Sequence, residues 1–274
     1  MSIFIDAHVH IYSAFGIEQF FTAAFDNFLK ASKNETLSDS ASYVLALAEG
    51  EGYDVFSSLS QNAASFENKS EKQTGPDSLV FYKTAEPDSL LVCKGKETIA
   101  LLAGRQHVSR ENIEVISLLS SVKLEEKLMP LADLAQTVAT NGGIVVLPWG
   151  VGKWFGGRGK IVRRFLDTAY DFPLFLGDNG NRPSFWPTPS LFRIAQEKHL
   201  PLLSGSDPLP LASHCNRVAT SGTVLLDGKI SSSHPAASLR KQLNGNENLR
   251  EFGGRLNPVR FFYDQLRINL LSCT

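Results

Sequence analysis

Apolar residues fall into two kinds of run along this chain. Some are short and continuous: Ile3-Phe4-Ile5, Tyr43-Val44-Leu45-Ala46-Leu47 within Ser42 to Ala48, and Ile144-Val145-Val146-Leu147 after Gly143. Such runs fit strands buried on both faces, as in a parallel sheet covered by helices. Others recur at helical spacing. Phe20, Phe21, Ala24, Phe28 and Leu29 predict a helix over 17–30, and 53–66 reads as a second. The same patterns predict helices over 131–139, 161–170, 189–198, 235–243 and 258–270. Further strands are predicted over 79–82, 113–119, 173–176, 201–203 and 223–226. Between them, 90–102 reads as a β-hairpin turning at Lys94-Gly95-Lys96-Glu97. The polar stretches 34–42 and 67–77 read as loops.

Strands alternating with helices predict an α/β fold. The expected architecture is a distorted, TIM-like (β/α)7-8 barrel, mostly parallel, with the hairpin as an insertion in the middle. One such domain uses about 250 residues. With 274 residues, no internal repeat and no shift of composition, 1–274 reads as a single unit.

Composition narrows the function classes. At 43% hydrophobic residues the chain can build a core, which excludes disorder for most of its length. Its 27 basic and 28 acidic residues give a net charge of −1. A dedicated nucleic-acid binder is usually basic, so no nucleic-acid partner is expected, although the segment from Lys153 to Arg164 is locally basic. No apolar run is long enough to span a membrane, and no basic stretch precedes an apolar one at the N-terminus. Cys93, Cys215 and Cys273 form no C-x-x-C pair, as in a reducing compartment, so a cytoplasmic address is expected. Oligomeric state is not legible.

Candidate chemistry begins with His8-Val9-His10. Side chains two apart on a strand share a face, and the end of a barrel strand is where such folds carry their sites. Two imidazoles there can bind Zn, Mn or Mg as a divalent ion. Asp207, in Ser204-Gly205-Ser206-Asp207-Pro208, follows a late strand that a closed sheet would place beside the first. It reads either as a third ligand or as a helix N-cap with Pro208 in the first turn. Asp178 and Arg182 lie in Gly177-Asp178-Asn179-Gly180-Asn181-Arg182. Asp178 reads as a metal ligand or an acid–base group and Arg182 as an anion binder, or the segment is simply a turn. In the glycine-rich segment from Trp149 to Lys160, Lys153 and Arg158 could neutralise a bound anion while Trp149 walls its pocket. The alternative is a solvated surface loop. Arg105 is a further candidate for substrate binding, unless its polarity only protects an edge strand.

The order Asp6-x-His8-x-His10, an apolar strand after Gly142-Gly143, and a late Gly205-Ser206-Asp207 resembles the polymerase-and-histidinol-phosphatase (PHP) domains. These are metal-dependent phosphoesterases on a distorted seven-stranded barrel. The amidohydrolase barrels begin in a similar way. The PHP resemblance implies several metals held by many His and carboxylate ligands, and this chain departs from it at three places. Trp149 and Leu209 stand where the family has His, and Gln106 stands where it has Glu. His8, His10 and Asp207 remain, with Asp178 as a candidate replacement.

These readings predict a hydrolase that uses one divalent ion on His8, His10, Asp207 and Asp178. Asp178 and Asp207 would be catalytic, and Lys153, Arg158, Arg182, Arg105 and Trp149 would bind a small anionic substrate such as a phosphate ester. The alternatives are a C–N hydrolase of the amidohydrolase type, or a degenerate barrel that binds an anionic ligand or a protein without catalysis.

Overall fold

In the computed structural model, residues 1–35, 41–65, 78–124, 128–244 and 248–271 are described. The predicted polar loop at 67–77 and the middle of that at 34–42 lie outside them.

β1 (Ser2–Val9) is buried along its whole length, as its apolar start predicts. It pairs in parallel with β2 (Ala41–Leu47) and antiparallel with β11 (Ser221–Leu225). The sheet they form has eight strands. Beyond β2 it continues through β6 (Glu97–Leu102), β5 (Ser89–Lys94), β4 (Leu79–Lys83) and β3 (Ala64–Ser65). Beyond β11 it ends in β12 (Leu249–Gly253). A second sheet orders β7 (Gly104–Val108), β8 (Glu114–Leu118), β9 (Ile144–Pro148) and β10 (Leu174–Gly177). The helices are α1 (Ile17–Asn34), α2 (Val55–Asn62), α3 (Leu131–Thr140), α4 (Gly156–Asp167), α5 (Ser190–Glu197), α6 (Pro235–Leu243) and α7 (Pro258–Leu271).

The mixed α/β class agrees with the sequence, and the hairpin is β5–β6, turning at Gly95 with φ +58°. Two expectations need correction. The sheets are not mostly parallel: four of the ten strand pairings are parallel and six antiparallel. Short connections explain this, because a parallel crossover needs about a dozen residues or more and the link from β7 to β8 has far fewer. Nor do the described strands form one closed barrel.

Backbone bonds nevertheless cross both seams between the sheets. Glu49 donates its N–H to Gly104 O (3.0 Å) and accepts that of Gln106 (2.9 Å), tying the end of β2 to β7. A Cβ on Gly104 would lie 2.0 Å from Leu47 O, so this approach requires glycine. On the other seam, the segment 201–207 runs between β10 and β1. Leu202 and Gly205 bridge Leu176 and Asn179, and Ala7 N–H donates to Ser204 O (3.2 Å).

Three apolar clusters follow from the alternation of strand side chains. Ile3, Ile5, Val44, Ala46, Leu102, Ile116, Val146 and Phe175 meet between the two sheets. Phe4, Tyr43, Leu45 and Leu101 face the opposite way, onto Phe20, Phe21 and Phe28 of α1. Val115, Val145, Leu147 and Leu174 pack under α3, α4 and α5.

Candidate metal centre

The register of β1 against β2 shifts between Asp6 and Val9. Before the shift, Ile3, Ile5 and Ala7 point between the sheets while Phe4 points to α1. After it, Val9 and Ile11 belong to the α1 cluster. The irregularity therefore exchanges the faces, and His8 and His10 turn toward the side that Ile3 and Ile5 occupy. Without it they would lie on the helix side.

Both histidines then meet Asp207. His8 Nε2 and His10 Nε2 are 3.0 Å apart, and each lies close to Asp207 Oδ1, at 3.6 and 3.5 Å. Three donors at roughly 2.0–2.1 Å from one tetrahedral ion would be separated by about 3.3 Å. These separations fit, so the residues present suit a divalent cation. They are the one group of three or more His, Cys, Asp or Glu side chains able to share an ion among the described residues. Gln106 Oε1 lies 3.2 Å from His8 Nε2, next to the same point.

The loop carrying Asp207 is fixed from several sides. No helix starts at Pro208, so Asp207 is not a helix cap. Its backbone is left-handed, with φ +46°, and its N–H donates to His8 O (2.9 Å). Asn179 Nδ2 donates to Asp207 Oδ2 (3.0 Å) and to Trp149 O (2.8 Å), leaving Oδ1 to face the histidines. Asn181 Nδ2 donates to Asp207 O. Gly205 is required here, because a Cβ would lie 2.3 Å from the His8 backbone nitrogen. Behind the loop sits the buried carboxylate of Asp6. It accepts from Ser206 N (2.8 Å), Ser206 Oγ (2.5 Å) and Ala219 N (2.8 Å).

Burial and neighbouring charge set the protonation states. Burial, reinforced by His8, pushes His10 down to about 3, so its imidazole is neutral and free to ligate at neutral pH. Burial pushes Asp6 up to about 6 against the hydrogen bonds it accepts. For Asp207 burial acts upward, but His8, His10 and Lys153 outweigh it and hold the carboxyl below its usual range.

The three residues open onto a cleft of about 260 Å³. Tyr12, Tyr53, Ile11 and Leu209 line it together with Glu49, Gln106, Glu114 and Lys153. Tyr12 stacks on His10, with ring centroids 5.6 Å apart, and meets Tyr53 edge-on at 5.5 Å. Lys153 Nζ is paired with Glu114 Oε1.

Of the predicted substrate-binding residues, Lys153 lines this cleft and the others do not. Arg105 is buried, held by Ser121 O (3.0 Å), Tyr53 O (3.1 Å) and Asp54 Oδ1 (2.8 Å). Arg158 donates to Gly152 O (2.9 Å). Trp149 packs in the small-sheet core, edge-on to Trp186. Asp178 does not gather with the histidines; both its oxygens accept from Arg182 Nε, at 2.9 and 3.0 Å, and Arg182 Nη2 adds a further bond. Attraction between the two, four residues apart and out of water, explains why neither turns to the cleft. Tyr12, Tyr53, Glu114, Asn179 and Asn181 were not among the candidates. Tyr12 lies two residues past His10, so the strand period that singled out the histidines extends to it. The others are brought in only by tertiary folding.

No family model matches the sequence, and no curated protein matches it. Solved structures do. PsfC from Pseudomonas syringae PB-5123 matches over 100% of this chain and 99% of its own, at TM-score 0.55 and 15% identity, which shows a shared fold. Endonuclease Q, solved with a 27-mer duplex carrying an abasic lesion at its active site, matches over 94% of this chain and 60% of its own (TM-score 0.47, 14% identity). A two-domain protein from Bacteroides vulgatus, containing a predicted PHP-like metal-dependent phosphoesterase, matches over 96% and 69% (TM-score 0.45, 12% identity). The expectation of no nucleic-acid partner is withdrawn, because a duplex-binding endonuclease stands among the similar structures. No helix among the described residues is long and apolar enough to cross a membrane. In Asp6-x-His8-x-His10 and the late Gly205-Ser206-Asp207 the chain resembles the PHP-type metal-dependent phosphoesterases, with part of their ligand set replaced.

Proposed function

We propose that the protein is a metal-dependent hydrolase of the PHP type that cleaves a phosphate ester, and that the ring of β1, β2, β7–β10 and the 201–207 segment serves as its distorted barrel. The convergence of His8, His10 and Asp207 at the mouth of one cleft carries this reading. The imidazoles of His8 and His10 and the carboxylate of Asp207 would hold one divalent ion. Bound there, such an ion supplies Lewis acidity toward a phosphoryl oxygen and acidifies water. Asn179 keeps Asp207 oriented, and Lys153 offers its ammonium group to the anionic part of the substrate, with Glu114 holding it in place. Tyr12 and Tyr53 form an apolar wall for the rest of the substrate. Asp178 and Arg182 serve as a structural pair.

The test is metal analysis of the purified protein, followed by a panel of phosphomonoesters, phosphodiesters, lesion-bearing DNA and amide substrates with added Mn²⁺ or Zn²⁺. Turnover of a phosphate ester that His10→Ala and Asp207→Asn abolish is the expected result. Turnover of amides alone would favour the amidohydrolase reading. A second reading, binding without catalysis, is supported by Trp149 and Leu209 at positions where the family has His. Thermal stabilisation by phosphorylated compounds that survives a strong chelator, with no turnover, would establish it.

A further inference from the structure

α7 turns an apolar face to solvent. Val259, Phe262, Leu266 and Leu270 recur at i, i+3, i+7 and i+11, one stripe of the helix, and each is more than half exposed. The stripe does not stop at the helix. Phe185 stacks on Phe262 with ring centroids 5.8 Å apart and planes 10° from parallel. Trp186 follows, and Phe155 stacks on it at 5.8 Å. With Tyr263, seven of the twelve large apolar side chains that are exposed among the described residues lie on this one surface. Chance scatter does not produce such a concentration, and patches beyond a few hundred Å² mark interaction sites.

Size and charge indicate what covers it. The exposed parts of these side chains amount to on the order of 700 Å², close to the roughly 800 Å² that each partner contributes to a standard interface. Two cations, Arg260 and Arg267, lie beside the stripe on the same helix. Arg260 Nε lies 2.8 Å from Asp264 Oδ1, and Arg267 donates to Tyr263 Oη (3.3 Å) while lying over its ring. The stripe itself carries no charged side chain, so apolar contact rather than charge pairing is what it offers a partner. A neutral stripe at 3–4 spacing matches a copy of itself, because a two-fold axis brings one patch onto the same patch.

We infer that this face is a homodimer interface, with α7 of one protomer packed against α7 of a second copy and Phe185 at its margin. The inference stands apart from the metal-centre reading, since none of these residues lines the cleft.

Sedimentation equilibrium on the full chain, from about 1 to 100 µM, tests it. The expected mass is twice 30.1 kDa. Phe262→Glu and Leu266→Glu should each give monomers with unchanged far-UV circular dichroism and unchanged Zn²⁺ binding. Should those variants misfold, Leu266→Cys provides a second test: mild oxidation should link two protomers through this central position, well above the wild-type background. A wild-type monomer across the whole range, or a dimer that survives both glutamates, would overturn the proposal. So would association seen only with vesicles of anionic lipid, which would assign the face to a membrane.

Discussion

Three side chains carry the candidate centre, and their partners determine how tightly they can hold an ion. His8 and His10 are buried and Asp207 is partly exposed. Replacing His10 by Ala removes one of three donors, and at least a hundredfold weaker Zn²⁺ binding is expected by titration calorimetry. Asn179 acts one step back. It occupies Asp207 Oδ2 and so aims Oδ1 at the imidazoles. Asn179→Ala should weaken metal binding by roughly 10–100-fold without abolishing it; unchanged affinity would mean that the loop backbone alone orients Asp207. Asp6 is a separate case, since its carboxylate accepts from Ser206 N and Oγ in the loop, from Ala219 N, and at 3.4 Å from His8 N in its own strand. An Asn there would set an NH2 group against at least one backbone N–H. Asp6→Asn should cost about 1–3 kcal/mol in urea unfolding. A neutral outcome would mean that the loop does not depend on this carboxylate.

At the scale of elements, the histidine pair was legible because a strand repeats every two residues, and that argument placed both rings on one face. It could not say which face. The shift in β1 between Asp6 and Val9 decides it, and nothing in Asp6-Ala7-His8-Val9 signals a bulge. β7 and β12 escaped detection for a different reason. Gly104-Arg-Gln-His-Val108 and Leu249-Arg-Glu-Phe-Gly253 are polar strands at the ends of their sheets, and a search for apolar runs passes over them. The pairing of Asp178 with Arg182 was hidden because both residues also suit a cleft, and only the fold shows that each has the other. Gly205 shows the opposite case: quoted in the sequence only as part of the motif that carries Asp207, it is required by the approach of two backbones. Gly205→Ala would push a methyl group into the His8 backbone. Loss of Zn²⁺ binding together with a fall in the urea midpoint is the expected result. Intact binding would show that β1 can move aside at little cost.

At the scale of the whole molecule, buried histidines couple folding to pH. His214 is fully buried, its Nδ1 accepts the Leu209 N–H (3.0 Å), and its Nε2 lies 3.0 Å from Asp264 Oδ2 on α7. An imidazole that accepts at Nδ1 is neutral, and burial, with Arg217 adding to it, pushes this one well below the ordinary range. His10 is pushed down in the same direction. For both, the folded value lies below the unfolded one, so between the two values the unfolded chain binds more protons. The stability they contribute is complete above about pH 6.5 and is lost as the pH falls toward the folded values. Asp6 opposes them: its value of about 6 lies above the unfolded 3.8, so its contribution is lost as pH rises through 6 and regained on acidification. Between pH 7.5 and pH 5, each buried imidazole costs about 2 kcal/mol and Asp6 returns about 1. In the metal-free protein the histidines therefore dominate, and the urea midpoint should fall on going from pH 7.5 to pH 5, with less of a fall in His214→Gln. A midpoint that rose instead would mean that Asp6 outweighs both rings, and that the neutral-imidazole account of the interior is wrong. Saturating Zn²⁺ should steepen the loss, because protons then compete with the ion for His10 as well as with the fold.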